Sequence, residues 1–144
     1  MIVFHASTVK IEEFYIPYGG LHVGGYQSAI ECALRKLYEG RGKGHYIDSI
    51  HIHQCELIST NPYESFDEGS DDGWRKLHNI LLRDNVDFDS IKYINEYEPD
   101  IMPSFCLFDT TNIKILDHST MHMDIAEDIL NGKFTFEGYQ GHYY

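Results

Sequence analysis

The segment from Gly19 to Gly40, GGLHVGGYQSAIECALRKLYEG, constrains the fold more than any other part of the sequence. Leu21 and Val23 alternate with a polar residue between two glycine pairs, which predicts a short, half-buried strand. Apolar residues then recur at helical spacing, so an amphipathic helix is predicted to follow almost at once. The apolar face of this helix consists of Ile30, Ala33, Leu34 and Leu37.

Both ends of this predicted helix carry capping signals. Ser28 and Glu31 have the spacing of a capping box, and Gly40 is suited to end the helix. His22, beside the glycine pairs and the helix N-terminus, would suit a ligand with anionic and hydrogen-bonding parts. On spacing alone, an ordinary strand-helix corner, in which the glycines serve only to turn the chain, is the favoured interpretation.

Composition limits the class of protein. With 144 residues, 42% of them hydrophobic, the chain is long enough for one core, and we expect a single domain over residues 1–144. Its 11 basic residues against 23 acidic ones give a formal charge of -12, which disfavours nonspecific attraction to nucleic acid or acidic membranes. Three cysteines without paired short spacing predict no disulfide framework, and no apolar run has the length of a membrane span. We therefore expect a cytoplasmic protein without a membrane partner.

Strands and helices alternate irregularly along the chain, which favours the α+β class over a doubly wound sheet. The longest predicted loop is Ser59–Gly73, and the tail around residues 134–136 forms an edge strand or stays loose. Outside the glycine segment, strands are predicted at residues 2–4, 46–58, 87–97, 104–108 and 113–116.

Two more helices are predicted from cap residues and apolar spacing. The second begins with Ser70 and two aspartates as cap and first turn, and it ends at Asn85. The third covers Met121–Leu130, with Ser119 or Thr120 as its cap.

A metal site has only weak support in the sequence. His51 and His53 form an H-x-H pair on one strand face, and with a further histidine or carboxylate they could bind a transition metal. That further ligand is not found at a diagnostic spacing, and strand alternation alone produces a face of partly exposed histidines. A phosphate loop, a complete dinucleotide motif and a nucleophile elbow are all absent. We predict no metal site and no acyl-transfer hydrolase.

Three short blocks, FHAST, GGLHVGG and YINEYEPDIMPSFCLFD, resemble the successive blocks of ADP-ribosyltransferase-like proteins. Members of that superfamily often begin with an aromatic-His-Gly-Ser/Thr strand and continue through a Gly-x-aromatic or Gly-x-His strand into a helix. They then place a glutamate before a later strand. The resemblance implies an α+β fold of two small packed β-sheets with flanking helices and a cleft that binds NAD as a substrate.

The first two blocks depart from the usual pattern at two positions. Ala6 replaces the usual glycine, although its backbone can still bond the carboxamide of nicotinamide. His22 stands where better-known members carry tyrosine, and Tyr26 is the best available candidate for stacking on nicotinamide. The NAD-binding residues that the resemblance implies are His5, Ala6, Ser7, Gly20, His22, Tyr26 and Asn95.

The resemblance implies that a glutamate of the third block is catalytic. Glu98 is preferred over Glu96, because Asn95-x-x-Glu98 matches the family spacing better. A carboxylate near the ribose would stabilise the positive charge that builds when the bond to nicotinamide breaks. His5 would hold the other ribose, and His22 would help to orient nicotinamide. Taken singly, His5 is also explained as a strand-end histidine and Glu98 as a solvated loop carboxylate.

The implied function is transfer of ADP-ribose from NAD to a protein, nucleic-acid or nucleotide acceptor, as in toxins of toxin-antitoxin and phage-defence systems. An antitoxin or inhibitor protein is then a further expected partner. The alternative is a noncatalytic interaction domain whose acidic surface binds a basic partner. Lys10, Arg35, Lys36 and Arg75 around one cleft would favour the enzyme, whereas a smooth acidic face would favour the alternative.

Overall fold

The α+β class is confirmed in a computed structural model that describes residues 1–94, 102–133 and 135–136. Within these ranges the chain forms seven strands, arranged in two small sheets, and three helices. The strands are β1 (Ile2–Ser7), β2 (Leu21–Val23), β3 (Ser49–Leu57), β4 (Pro62–Ser65), β5 (Ser90–Tyr93), β6 (Ser104–Leu107) and β7 (Ile113–His122). The helices are α1 (Tyr26–Gly42), α2 (Asp71–Arg83) and α3 (Met123–Ile129).

The first sheet has the order β1-β3-β7, is antiparallel throughout and forms the middle layer of the fold. Because side chains alternate across a strand, its two faces contact different neighbours. Ala6, Ile50 and Ile52 pack with the apolar stripes of α1 and α3. Val3, Cys55 and Leu57 pack against the second sheet.

The second sheet has the order β2-β6-β5-β4, in which β4 is parallel to β5. Its outer face is covered by α2, whose Trp74 and Leu81 pack on Ile91, Tyr93 and Cys106. The region predicted as the longest loop therefore contains a short strand, β4, that begins at a proline. Proline has no backbone N–H to donate to a neighbouring strand, so within a sheet it is tolerated at an edge strand or at the first residue of a strand.

The two sheets meet where β1 passes the end of β2. Phe4 and Gly24 exchange two backbone hydrogen bonds, with N–O distances of 2.8 and 3.1 Å. A Cβ atom on Gly24 would lie 2.7 Å from Ser104 Oγ, so glycine at this position lets the backbone lie close to the Ser104 side chain. The junction places the strand of His5 beside the strand of His22.

The predicted apolar face of α1 is confirmed, but the predicted capping box is wrong. The helix begins at Tyr26, because Gly25 takes the extended conformation of an N-cap residue. Ser28 therefore lies within the first turn, where it is buried. Glu31 instead forms an ion pair with Arg35 at 2.8 Å.

The predicted end of α1 at Gly40 is also wrong. The helix continues to Gly42, and Lys43 is its C-cap residue. Gly44 follows with φ 88°, the left-handed conformation in which glycine commonly ends a helix. The carbonyl oxygen of Gly40 accepts bonds from the backbone N–H groups of Lys43 and His45.

The end of the chain differs most from the prediction. β7 continues through Thr120 and Met121 to His122, because these residues pair with β3. Pairing across a sheet overrides a local helix preference. α3 therefore begins at Met123, and its cap is His122, whose Nδ1 accepts from the Asp124 N–H at 3.1 Å. The predicted edge strand near residue 134 lies largely outside the described residues.

The second helix agrees with its prediction. Ser70 is the N-cap residue, and its hydroxyl accepts a hydrogen bond from the Gly73 N–H at 3.1 Å. Asp71 and Asp72 occupy the first turn, where they complement the helix dipole. Asn85, just beyond the C-cap, has φ 54°.

Candidate functional site

A cavity of about 300 Å³ lies where β1, β2 and the N-terminal turns of α1 and α2 meet. Its walls combine aromatic and polar side chains, as small-molecule sites do, and its volume lies at the lower end of the range for such sites. A ligand as large as a dinucleotide would place only part of itself inside. The lining residues include Phe4, His5, Ala6, His22, Cys32, Arg35, Asp67, Asp71, Trp74 and Tyr93.

His5 is held in a single neutral form. Its Nδ1 lies 2.9 Å from the carbonyl oxygen of His22, so Nδ1 carries the proton and donates it. The pKa of His5 is lowered to about 4, chiefly by burial and also by Lys36 and His53, while that hydrogen bond opposes the shift. At neutral pH, Nε2 of His5 is therefore a hydrogen-bond acceptor.

His22 is fixed by bonds at both ring nitrogens. Nε2 donates to the carbonyl oxygen of Gly19 at 3.0 Å, so Nδ1 accepts from the hydroxyl of Tyr93 at 2.7 Å. Burial lowers the pKa of His22, which keeps the ring neutral. His22 therefore positions the Tyr93 hydroxyl and the ring of His5, and it would act on a ligand through these two groups.

Two aromatic residues of the cavity were not predicted as site residues. The rings of Trp74 and Tyr93 are 4.5 Å apart between centroids, and Trp74 also packs edge-on against His22 at 5.2 Å. The available signal in the sequence was the position of Trp74, one turn after a capped helix start. Helix N-termini favour bound anions, so a side chain near one is a candidate for a ligand site.

Tyr26, the predicted stacking residue, lies elsewhere. Its ring packs edge-on against Phe4 at 5.2 Å, and the residue is 38% exposed. Of the described residues that line the cavity, Trp74 and Tyr93 are better placed to contact a planar ring.

The other predicted NAD-binding residues within the described part of the chain do not all line the cavity. Ala6 lines the cavity, as the resemblance implies. Ser7 and Gly20 are not among its described lining residues: the hydroxyl of Ser7 bonds the backbone of Val9, and Gly20 has φ 87°. A Cβ on Gly20 would lie 2.3 Å from the sulfur of Cys106, so packing alone explains this glycine.

Asn95, Glu96 and Glu98 lie outside the described residues, and the catalytic assignment of Glu98 stays a prediction. The carboxylates found among the described lining residues are Asp67 and Asp71. Both act on His22 and partly offset the effect of burial on its pKa.

Of the four cations expected around a cleft, one lines this cavity and a second lies near it. Arg35 lines it, and Lys36 is close enough to lower the pKa of His5 and His22. Arg75 instead donates its Nε hydrogen to the carbonyl oxygen of Tyr18 at 2.8 Å. Lys10 lies near the histidines of β3, whose pKa values it lowers.

His53, one of the two histidines considered as a metal ligand, is committed to the backbone. It is fully buried, its Nδ1 donates to the carbonyl oxygen of His5, and its Nε2 accepts from the Ile11 N–H. Within the described residues, no group of three or more His, Cys, Asp or Glu side chains is arranged to hold a metal ion. No helix in the same part of the chain is long and apolar enough to cross a membrane.

The cavity combines a neutral acceptor at His5, the rings of Trp74 and Tyr93, the guanidinium of Arg35, which pairs with Glu31, and the carboxylates of two aspartates. This combination suits a ligand with a planar ring, hydroxyl groups and an anionic part. Comparison of the chain with known protein families, with curated proteins and with solved structures gave no match. The function is therefore inferred from the cavity and from the sequence blocks that build it.

Proposed function

We propose that the chain is an ADP-ribosyltransferase-like enzyme that binds NAD in this cavity and transfers ADP-ribose to an acceptor. The observation that carries the proposal is the contact between His5 and His22. These residues come from the first two blocks of the family resemblance, and a hydrogen bond of 2.9 Å joins them at one cavity.

The reaction needs little besides positioning and charge. The bond between the nicotinamide nitrogen and ribose C1′ breaks, and its electron pair leaves with nicotinamide. The nucleophilic atom of the acceptor then bonds to C1′ and loses a proton. Because positive charge builds on the ribose, a nearby carboxylate lowers the barrier. Glu98 is proposed for this role, and it follows the cavity residue Tyr93 closely enough in the chain to reach the site.

Side chains that line the cavity suit the separate chemical groups of NAD. The rings of Trp74 and Tyr93 line the cavity and are only 4% and 6% exposed, so they would form an apolar wall beside the nicotinamide ring. Nε2 of His5 would accept a hydrogen bond from a ribose hydroxyl. Arg35 would have to turn from its ion pair with Glu31 to bind the pyrophosphate, whose oxygens a guanidinium group can recognise with two parallel bonds.

The noncatalytic alternative does not need such a cavity. A domain that binds a basic partner through acidic side chains would serve with an open surface, and it would gain nothing from a neutral histidine or from Arg35 in a pocket. The cavity thus supports the enzyme. The net charge of -12 makes a protein acceptor easier to bind than a nucleic acid.

Cys32 offers a direct test of binding. It is exposed and lines the cavity, whereas Cys55 and Cys106 are buried. Burial also raises the pKa of both buried thiols, that of Cys55 to about 12, so neither should react at neutral pH. Saturating NAD should slow alkylation of Cys32, and NAD at about 100 times its dissociation constant should add roughly 2.7 kcal/mol to the free energy of unfolding.

The controls separate binding from turnover. Cys32→Ala should abolish labelling and keep the rise in melting temperature with NAD. Reduced NAD, whose dihydronicotinamide is a poor leaving group, should protect Cys32 without releasing nicotinamide. Unchanged labelling and an unchanged melting temperature at millimolar NAD would refute the proposed ligand.

A further inference from the structure

Four histidines form a row across the first sheet. His5 of β1 lies opposite His53 of β3, which lies opposite His118 of β7. The ring centroids are 6.3 Å apart in the first pair and 5.2 Å apart in the second. His51 extends this histidine row, because its ring stacks on His118 with 2.8 Å between the facing nitrogens. One end of the row, His5, lines the cavity.

His53 is the buried centre of the row. Its Nδ1–H donates to the carbonyl oxygen of His5 at 3.2 Å, and its Nε2 accepts from the backbone N–H of Ile11 at 2.9 Å. A neutral imidazole has one donor and one acceptor nitrogen, so these two bonds require the neutral ring. A proton added at Nε2 would face the Ile11 N–H and break that bond.

Ile11 belongs to the segment of residues 8–18, here called the strap, which connects β1 to β2 across the row. Besides the bond from Ile11, the strap contacts the row through Phe14. The ring of Phe14 packs edge-on against His5 at 5.4 Å and against His53 at 6.4 Å. The strap thus covers both histidines and depends on His53 for a backbone hydrogen bond.

Charges around the row oppose protonation. Burial, followed by His118, His51 and Lys10, lowers the pKa of His53, against the bond to His5 that raises it. A charged row would place like charges about 5–6 Å apart, where they repel. Among the described residues, other titratable or charged groups near the row include Lys36 of α1, His22 of β2, Asp117 of β7 and Glu12, which pairs with Lys10.

We propose that the strap is a pH-sensitive cover, and that protonation of His53 releases it from the histidine row and exposes His5 at the edge of the cavity. The inference concerns the strap alone and holds whether or not NAD is the ligand. Through His53, the released state binds one more proton than the closed state, since the freed ring titrates near its ordinary pKa. The closed state is therefore most favoured above that pKa, 6.5, and becomes progressively less favoured as the pH falls below it.

Hydrogen exchange measured by mass spectrometry tests the release. After correction for intrinsic exchange rates, strap amides should open about tenfold more for each pH unit below about 6.5, because one proton is linked to opening. Amides of α2 serve as the internal reference and should not show this step. A wild-type strap whose opening is independent of pH between about 7.5 and 5 would overturn the inference.

Three variants identify the group responsible. His53→Gln keeps an acceptor for the Ile11 N–H but cannot titrate in this range, so the step should disappear while the strap stays closed. His45→Gln alters an exposed histidine outside the row and should keep the step. Ile11→Pro removes the N–H donor, so the strap should be open at every pH.

Measurements on a variant of either partner in the hydrogen bond between Ile11 and His53 can refute the inference. A tenfold step that persists in His53→Gln, or in Ile11→Pro, would show that another group controls the strap. If His53→Gln does not fold, as judged by circular dichroism, Ile11→Pro decides the question, because its substitution lies in an irregular surface segment.

Discussion

The two faces of the first sheet are built on different principles. The face toward α1 is closed by apolar side chains such as Ile30 and Leu34, which are fully buried and pack without directional bonds. The opposite face carries the rings of His5 and His53, whose nitrogens bond backbone carbonyl or N–H groups. Apolar burial tolerates small shifts, whereas each buried polar nitrogen needs a partner at a set position. We therefore expect the helix face to determine stability and the histidine face to determine geometry at the cavity.

The largest effect is expected from Leu34→Ala on the helix face. Leu34 is fully buried between α1 and the sheet, and removing its side chain leaves a cavity in the core. The free energy of unfolding should fall by about 2–5 kcal/mol, as measured by chemical denaturation. NAD affinity per folded molecule should stay unchanged.

Leu82→Ala is the matched control, because Leu82 is 57% exposed on α2. Its cost should stay within about 0.5 kcal/mol. A loss of NAD affinity in folded Leu34→Ala protein would contradict the proposed separation of the two faces.

Glu98→Gln should have the opposite profile, a loss of turnover without a loss of stability. The change keeps the size of the side chain and removes the charge that would stabilise a cationic ribose. Turnover should fall at least about one-hundredfold, or roughly 2.7 kcal/mol of transition-state stabilisation, while NAD affinity changes little. Nicotinamide release and Cys32 protection measure the two quantities separately.

Glu96→Gln is the internal control for this variant. Two carboxylates this close in one short segment should not both reach the same ribose, so Glu96→Gln should be nearly silent. Equal turnover in wild type and Glu98→Gln would end the proposed mechanism. A loss confined to Glu96→Gln would place the catalytic carboxylate on the same segment at the other position.

Local patterns predicted the elements better than their ends. The stripe of α1 follows from a period of 3.6 alone, and every member of it is buried. The start of that helix depends on the backbone of Gly25 at the junction of the sheets. The start of α3 depends on β7 pairing with β3, which lies far away in the sequence. Long-range pairing of this kind cannot be inferred from local spacing.

The site was only partly predictable, because it also depends on long-range pairing of strands. The family resemblance named His5, Ala6 and His22, and all three line the cavity. Trp74 and Tyr93 come from α2 and β5, and they reach the cavity only because the second sheet has the order β2-β6-β5-β4. A sequence without aligned relatives does not reveal that order.

A smaller effect is expected from removing the hydroxyl of Tyr38, a polar group buried within the helix face. Tyr38 is 1% exposed, and its hydroxyl donates to Glu127, which also accepts from the backbone N–H of Phe136 at 2.8 Å. Tyr38→Phe removes a hydrogen bond to a half-buried carboxylate, so the free energy of unfolding should fall by about 1–3 kcal/mol. Tyr46→Phe, at a tyrosine that is 81% exposed, should cost almost nothing. Similar losses in both variants would show that the bond to Glu127 adds no stability.

The smallest effect concerns the rim of the cavity, where Ser70 caps α2. Its hydroxyl satisfies the Gly73 N–H, one of the backbone donors left free at a helix start. Ser70→Ala should lower the free energy of unfolding by about 1 kcal/mol, and Ser70→Asp should restore it, because aspartate is an equally good cap. Denaturation of the three proteins side by side measures the difference. If Ser70→Asp is as destabilised as Ser70→Ala, the serine matters for packing in the cavity wall and not as a cap.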